Sequence, residues 1–142
     1  MKVRHIAVLL GAALLSGCAT GYHSTGGLAG LFGGYSESEG PGELIKVEFT
    51  ANGFSHADTV EQYLMLRCAE VAQARGKPYF RMYGSIAEAI MERQMRKQLV
   101  SMVTIGPYGY AYILLEDQAG TDTVSTADTL AKYAHLKEKK KS

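Results

Sequence analysis

Across residues 44–49 apolar and charged positions alternate one for one, with Ile45, Val47 and Phe49 set against Lys46 and Glu48. A period of two predicts a strand with one buried and one wet face. Gly40-Pro41-Gly42 precedes it as a turn. Residues 35–39 read as a partner strand, so the chain opens with a hairpin. After Asn52-Gly53 the period changes: Val60, Leu64, Cys68 and Val71, joined by Ala57 and Ala72, recur at helical spacing and form one stripe. Ser55 offers a cap with Asp58 three residues on, while Gly76 and Pro78 supply a stop, which predicts a helix over 56–75. Residues 79–84 read as the next strand. Residues 87–99 are strong helix formers with Ile90, Met91, Met95 and Leu99 on one side; an ordered excursion between strands is the alternative. Strands are expected at 100–105 and 110–115, joined through a hairpin at Gly106-Pro107-Tyr108-Gly109. A last helix starts near Ser125 and runs toward Lys137 with a stripe of Ala127, Leu130, Ala131 and Ala134. This order of elements predicts an α+β fold, a mainly antiparallel sheet with helices packed on one side.

The first 34 residues follow another pattern. Lys2 and Arg4 stand ahead of an apolar run over 6–15, which ends in Leu15-Ser16-Gly17-Cys18. A charged start, a short apolar middle and small residues at a cut site are the parts of a secretory signal peptide. Ten residues make a helix of about 15 Å, half of the ~30 Å a bilayer core requires. The ending resembles the lipobox of bacterial lipoproteins, which implies that Cys18 is acylated and becomes the first mature residue. The resemblance also implies a diacylglyceryl group plus an amide-linked chain, which together hold a protein to the membrane where one acyl chain gives only marginal binding. Ala19 follows Cys18 where an aspartate would favour the inner membrane, so the resemblance implies the inner leaflet of the outer membrane, facing the periplasm. Residues 18–34 are rich in Gly, Ser and Thr and are expected to be a flexible tether. The expected organisation is thus a signal peptide over 1–17, a lipidated tether over 18–34, one domain over 35–137 and a basic tail over 138–142.

Charge then narrows the partners. The whole chain carries 15 basic and 14 acidic residues, and loss of Lys2 and Arg4 with the leader leaves 13 against 14, or −1. A near-neutral chain makes no electrostatic case for nucleic acid. Lys139, Lys140 and Lys141 gather at the end, as a solvated tail or a contact to anionic headgroups. Only Cys18 and Cys68 exist, so lipidation of the first leaves no internal disulfide. Cys68 falls among apolar helix positions and reads as a small buried hydrophobe.

A second resemblance spans residues 34–80. Gly34-Tyr35-Ser36, Val47, Phe49 and Asn52-Gly53, then Val60, Tyr63, Arg67, Ala69 and Glu70, then Gly76 and Phe80 resemble a family of small Gram-negative bacterial lipoproteins of uncharacterised function. The chain departs from that pattern at Cys68, where alanine is usual. The resemblance implies an address and a fold, and no reaction.

The residues that carry chemistry are few. Tyr108, Tyr110 and Tyr112 alternate along one predicted strand and so share a face. A tyrosine row suits a protein interface or sugar stacking, and equally covers a half-buried sheet. Arg67 and Glu70 interrupt an apolar helix, either to bind an anionic group or to line the helix edge. Met91 and Met95 lie four apart as thioethers suited to Cu(I), but without a His or Cys cluster the expectation is core filling and no metal. His56 and Asp58 have no accompanying nucleophile elbow, and Gly26-Gly27 and Gly33-Gly34 lack the setting of a phosphate loop. No cofactor and no catalytic centre are expected. The sequence reads as a lipid-anchored envelope protein that is structural or binds a protein partner; the alternative is a periplasmic module that binds a small ligand or glycan through the tyrosine strand and Arg67.

Overall fold

The computed structural model describes residues 20–25, 33–92, 100–103 and 106–138. Within them the chain is α+β. Strands β1 (Gly34–Glu39), β2 (Ile45–Thr50), β3 (Tyr79–Tyr83), β4 (Val100–Val103), β5 (Gly106–Glu116) and β6 (Val124–Ser125) form one sheet. Helices α1 (Ala57–Ala74), α2 (Ile86–Ile90), α3 (Thr126–Tyr133) and α4 (His135–Glu138) complete the list. The strand order is β1-β2-β5-β3-β6, with β4 also paired to β5, and every pairing is antiparallel.

Strand β5 organises the sheet. β2 pairs with residues 108–113 on one edge, so β4 (at 106–109) and β3 (at 112–116) must share the other. Both β2 and β3 run against β5 and therefore parallel to each other, with α1 as the crossover between them. Such a connection needs a dozen or more residues, which α1 supplies.

One face of this sheet is the core side. Ile45, Val47 and Phe49 of β2, Phe80 and Met82 of β3, and Ala111 and Ile113 of β5 are buried there against Val60, Leu64, Cys68, Val71 and Ala72 of α1. Each fully buried Val, Leu, Ile or Phe contributes about 1.5–3 kcal/mol by leaving water. The alternation read in β2 is the alternation observed. Helix α1 ends as expected: Gly76 adopts φ +68°, its N–H donates to the Gln73 carbonyl at 2.9 Å, and the Lys77 N–H reaches Ala72 at 2.9 Å. These paired bonds satisfy carbonyls that a helix end leaves open.

Five expectations are corrected. Ser55 does not cap α1: the cap residue is His56, without a side-chain bond. The Ser55 hydroxyl serves elsewhere, accepting from the Thr20 N–H at 2.9 Å. In the described part of the second predicted helix, Ile86–Ile90 is helical and Glu92 turns to φ 49°; Ile90 and Met91 are exposed rather than packed, and residues 93–99, Met95 and Leu99 included, lie outside the described residues. Gly106-Pro107-Tyr108-Gly109 is strand rather than turn. A Cβ at Gly106 would stand 2.3 Å from the Ala51 carbonyl oxygen, so the glycine allows close backbone approach, and Pro107 is packed in the interior. Of the stripe expected in the last helix only Leu130 packs against the core: Ala127, Ala131 and Ala134 are exposed, whereas Thr126, Thr129 and Leu136 are buried.

The fifth correction concerns the tether. Residues 20–25 dock on the domain. The Asn52 N–H donates to the Thr20 hydroxyl at 2.8 Å, the Thr25 N–H to the Tyr35 carbonyl at 2.9 Å, and the Tyr35 N–H to the His23 carbonyl at 2.8 Å. Tyr22 packs its ring against Tyr35, Phe49 and Tyr63. Three aromatic contacts and a short bridge outweigh the Gly/Ser/Thr composition, which alone would leave the segment free.

Candidate functional site

The sequence candidates fall on opposite faces of the sheet. In β5, odd positions point to α1 and even positions away from it, as the buried Ala111 and Ile113 require. Tyr108, Tyr110 and Tyr112 therefore share the face opposite α1, all partly buried. Their rings touch in series: Tyr108 and Tyr110 lie 5.7 Å apart in a stacked arrangement, and Tyr110 meets Tyr112 edge-on at 6.2 Å. Across the ladder, Thr50, Glu48 and Lys46 stand opposite the three tyrosines in turn. The Tyr108 hydroxyl donates to Glu48, Lys46 Nζ lies 2.6 Å from Glu48 Oε1, and the same ammonium sits 5.5 Å over the Tyr110 ring.

On the other flank Tyr83 pairs with Tyr112 and Arg81 with Leu114, with Arg81 Nε 3.3 Å from Glu116 Oε1. The ridge of rings is thus bordered by two ion pairs of balanced charge. Burial works to raise the Glu48 carboxyl, yet the bonds from Lys46 and Tyr108 hold it below its usual value. Tyr108 is pushed up to about 12 by burial and by the hydrogen bond it donates to Glu48. Among the described residues the Tyr110 and Tyr112 hydroxyls make no side-chain hydrogen bond, and both rings are amphipathic.

Arg67 is on the α1 side, and its donors are already engaged. Nε and a terminal nitrogen hold Glu37 in a two-pronged contact at 2.8 Å each. Nη1 reaches Glu70 at 3.0 Å, and the guanidinium lies 4.2 Å from the Tyr35 ring centre. Glu70 also accepts from the Tyr22 hydroxyl and pairs with Lys137 Nζ at 2.6 Å. Burial would raise Glu70, but Lys137, Tyr22 and Arg67 together hold it low. Tyr22 is raised by burial and by Glu70. This cluster ties the N-terminal arm, β1, α1 and α4 together. The structure does not bring Arg67 to the tyrosines.

The remaining candidates are scattered. Cys68 is fully buried and free, and burial pushes its thiol far above its usual range. His56 and His135 are exposed. Among the described residues no group of three or more His, Cys, Asp or Glu could hold a metal ion, and no helix is long and apolar enough to cross a membrane. A shallow cavity of about 360 Å³ lies between the end of α1 and the start of α3, walled by Gln73, Lys77, Tyr79, Ser125 and Leu130. Cys18 and the lysines at 139–141 lie outside the described residues.

Sequence reasoning missed the partners rather than the centres. Glu37 is thirty positions from Arg67, and Tyr22 forty-eight from Glu70; no local pattern links either pair. Lys46 and Glu48 did carry a signal, since their spacing puts them on one face, but that face was read only as solvated. No family model, curated protein or solved structure matches this chain.

Proposed function

We propose that this protein is a lipid-anchored domain of the bacterial envelope that works by binding a protein partner through the face built on Tyr108, Tyr110 and Tyr112. The lipobox-like Leu15-Ser16-Gly17-Cys18 supports the anchor, and Ala19 supports delivery to the inner leaflet of the outer membrane. One observation carries the binding reading: three tyrosines stand in ring contact on the sheet face opposite α1, bordered by charges that are already paired. Rigid rings with polar tips supply contact area at low entropic cost. Pre-paired ions need not be stripped of a lone partner when a second surface covers them.

A glycan would use the same rings by stacking, but without Arg67, whose donors are held on the other side of the sheet. Two experiments test the proposal. Cys18→Ala should release the protein from membranes, and Ala19→Asp should move it to the inner membrane; unchanged outer-membrane attachment of the first variant would refute the anchor. A photo-crosslinking residue at position 110 should capture a specific envelope protein in cells, while one at position 43, in the turn before β2, should not. Equal capture at both positions, or none at 110, would refute the tyrosine face.

A further inference from the structure

The arm and one exposed aromatic ring are held by the same loop. Thr20 is buried; its N–H donates to Ser55 Oγ at 2.9 Å, and its hydroxyl accepts from the Asn52 N–H at 2.8 Å. Asn52 Oδ1 in turn accepts from the Phe54 N–H at 3.1 Å and from the Ser55 hydroxyl at 3.2 Å. This turn is therefore fixed at both ends, and it presents Phe54 with 65% of its surface in solvent. Among the described residues no other large apolar side chain except Ile90 is so bare.

The geometry points to a membrane-docking pole at residues 52–55, with Phe54 inserted into the lipid interface. The inference rests on the acylation of Cys18 proposed above. Cys18 precedes Thr20 by two residues, and two residues span at most about 7 Å. An acylated Cys18 lies at the lipid surface, so Thr20 and the loop that holds it must lie within that distance of it. The docked arm turns the expected long leash into a short one, and the domain rests on the bilayer by this end. Aromatic rings favour the headgroup boundary, where interfacial segments bury their apolar side about 5–10 Å deep. The first turn of α1 beside the loop carries Asp58, and Glu61 follows it on the exposed surface. Anionic headgroups are thus not the attraction; zwitterionic lipid is sufficient.

The chain contains no tryptophan, so one introduced indole is a clean reporter. Phe54→Trp, His56→Trp and Glu43→Trp would each be purified with their native lipid and placed in phosphatidylcholine vesicles with or without brominated chains. Residue 43 lies at the other end of the β1–β2 hairpin, about 20 Å away along the strands. Flotation reads the anchor, and quenching reads the docking. The expected result is flotation of all three, with blue-shifted, bromine-quenched emission at 54 and no quenching at 43. Should Phe54→Trp fail to fold by circular dichroism, His56→Trp reports the same loop under the same criteria. Flotation without quenching at 54, or with equal quenching at 43, would overturn the docking pole and leave the anchor standing. Failure to float would overturn both.

Discussion

Cys68 shows at the scale of one residue why proximity in sequence is a poor guide to reactivity. Arg67 precedes it, yet successive helix residues do not face each other. The thiol lies fully buried in the core, where burial pushes its ionisation far up and removes the nucleophilic thiolate. It should resist thiol reagents in the native protein and react fully only after unfolding. Cys68→Ala should cost on the order of 1 kcal/mol through lost packing and leave partner capture intact. Cys68→Ser should cost more, about 1–3 kcal/mol, because it buries a hydroxyl among apolar neighbours. Denaturant titration of both variants checks the order. Rapid labelling of the folded protein would contradict the buried assignment.

Local signals sufficed where an element is set by its own neighbours. The period-two run of β2 and the apolar stripe of α1 were legible because each buries one face against a single core. Ser125 was legible as a helix start, and its hydroxyl accepts from the Asp128 N–H at 3.2 Å. Ser125→Ala should therefore cost about 1 kcal/mol in thermal or chemical unfolding. Where a distant segment decides the outcome, the sequence was silent or misleading. Gly106 and Pro107 resemble a turn in isolation, but the chain at residues 51 and 52 lies so close that only a glycine fits. Gly106→Ala combines that clash with a φ of +146° and should destabilise by about 2–5 kcal/mol. A substitution that proved neutral there would mean that the two segments are not so closely packed. The tyrosine row follows the same division. Its shared face was legible from alternation, whereas its isolation from Arg67 depends on which side α1 takes.

For the whole molecule, the decisive group is the single carboxylate of Glu70, which joins parts that the sequence keeps far apart. Tyr22 of the arm, Arg67 of α1 and Lys137 of α4 all converge on it, and Arg67 passes the link on to Glu37 of β1. Because these partners hold Glu70 below its ordinary value of 4.5, the folded state gains from the ionised form. That stabilisation is complete above about pH 4.5 and is lost as the pH falls through the lower, folded-state value. Glu70→Gln keeps the shape but removes the charge. At pH 7 it should destabilise by about 2 kcal/mol, the scale of bonds to a charged group. The gap to the unaltered protein should narrow steadily as the pH is lowered from 5 toward 3, measured by denaturant unfolding at each pH. The arm should loosen with it, so that proteolysis near Tyr22 speeds up in the variant at pH 7 and in the unaltered protein only in acid. A gap independent of pH would mean that Glu70 acts by packing alone, and that the arm is held by its aromatic contacts and by Thr20.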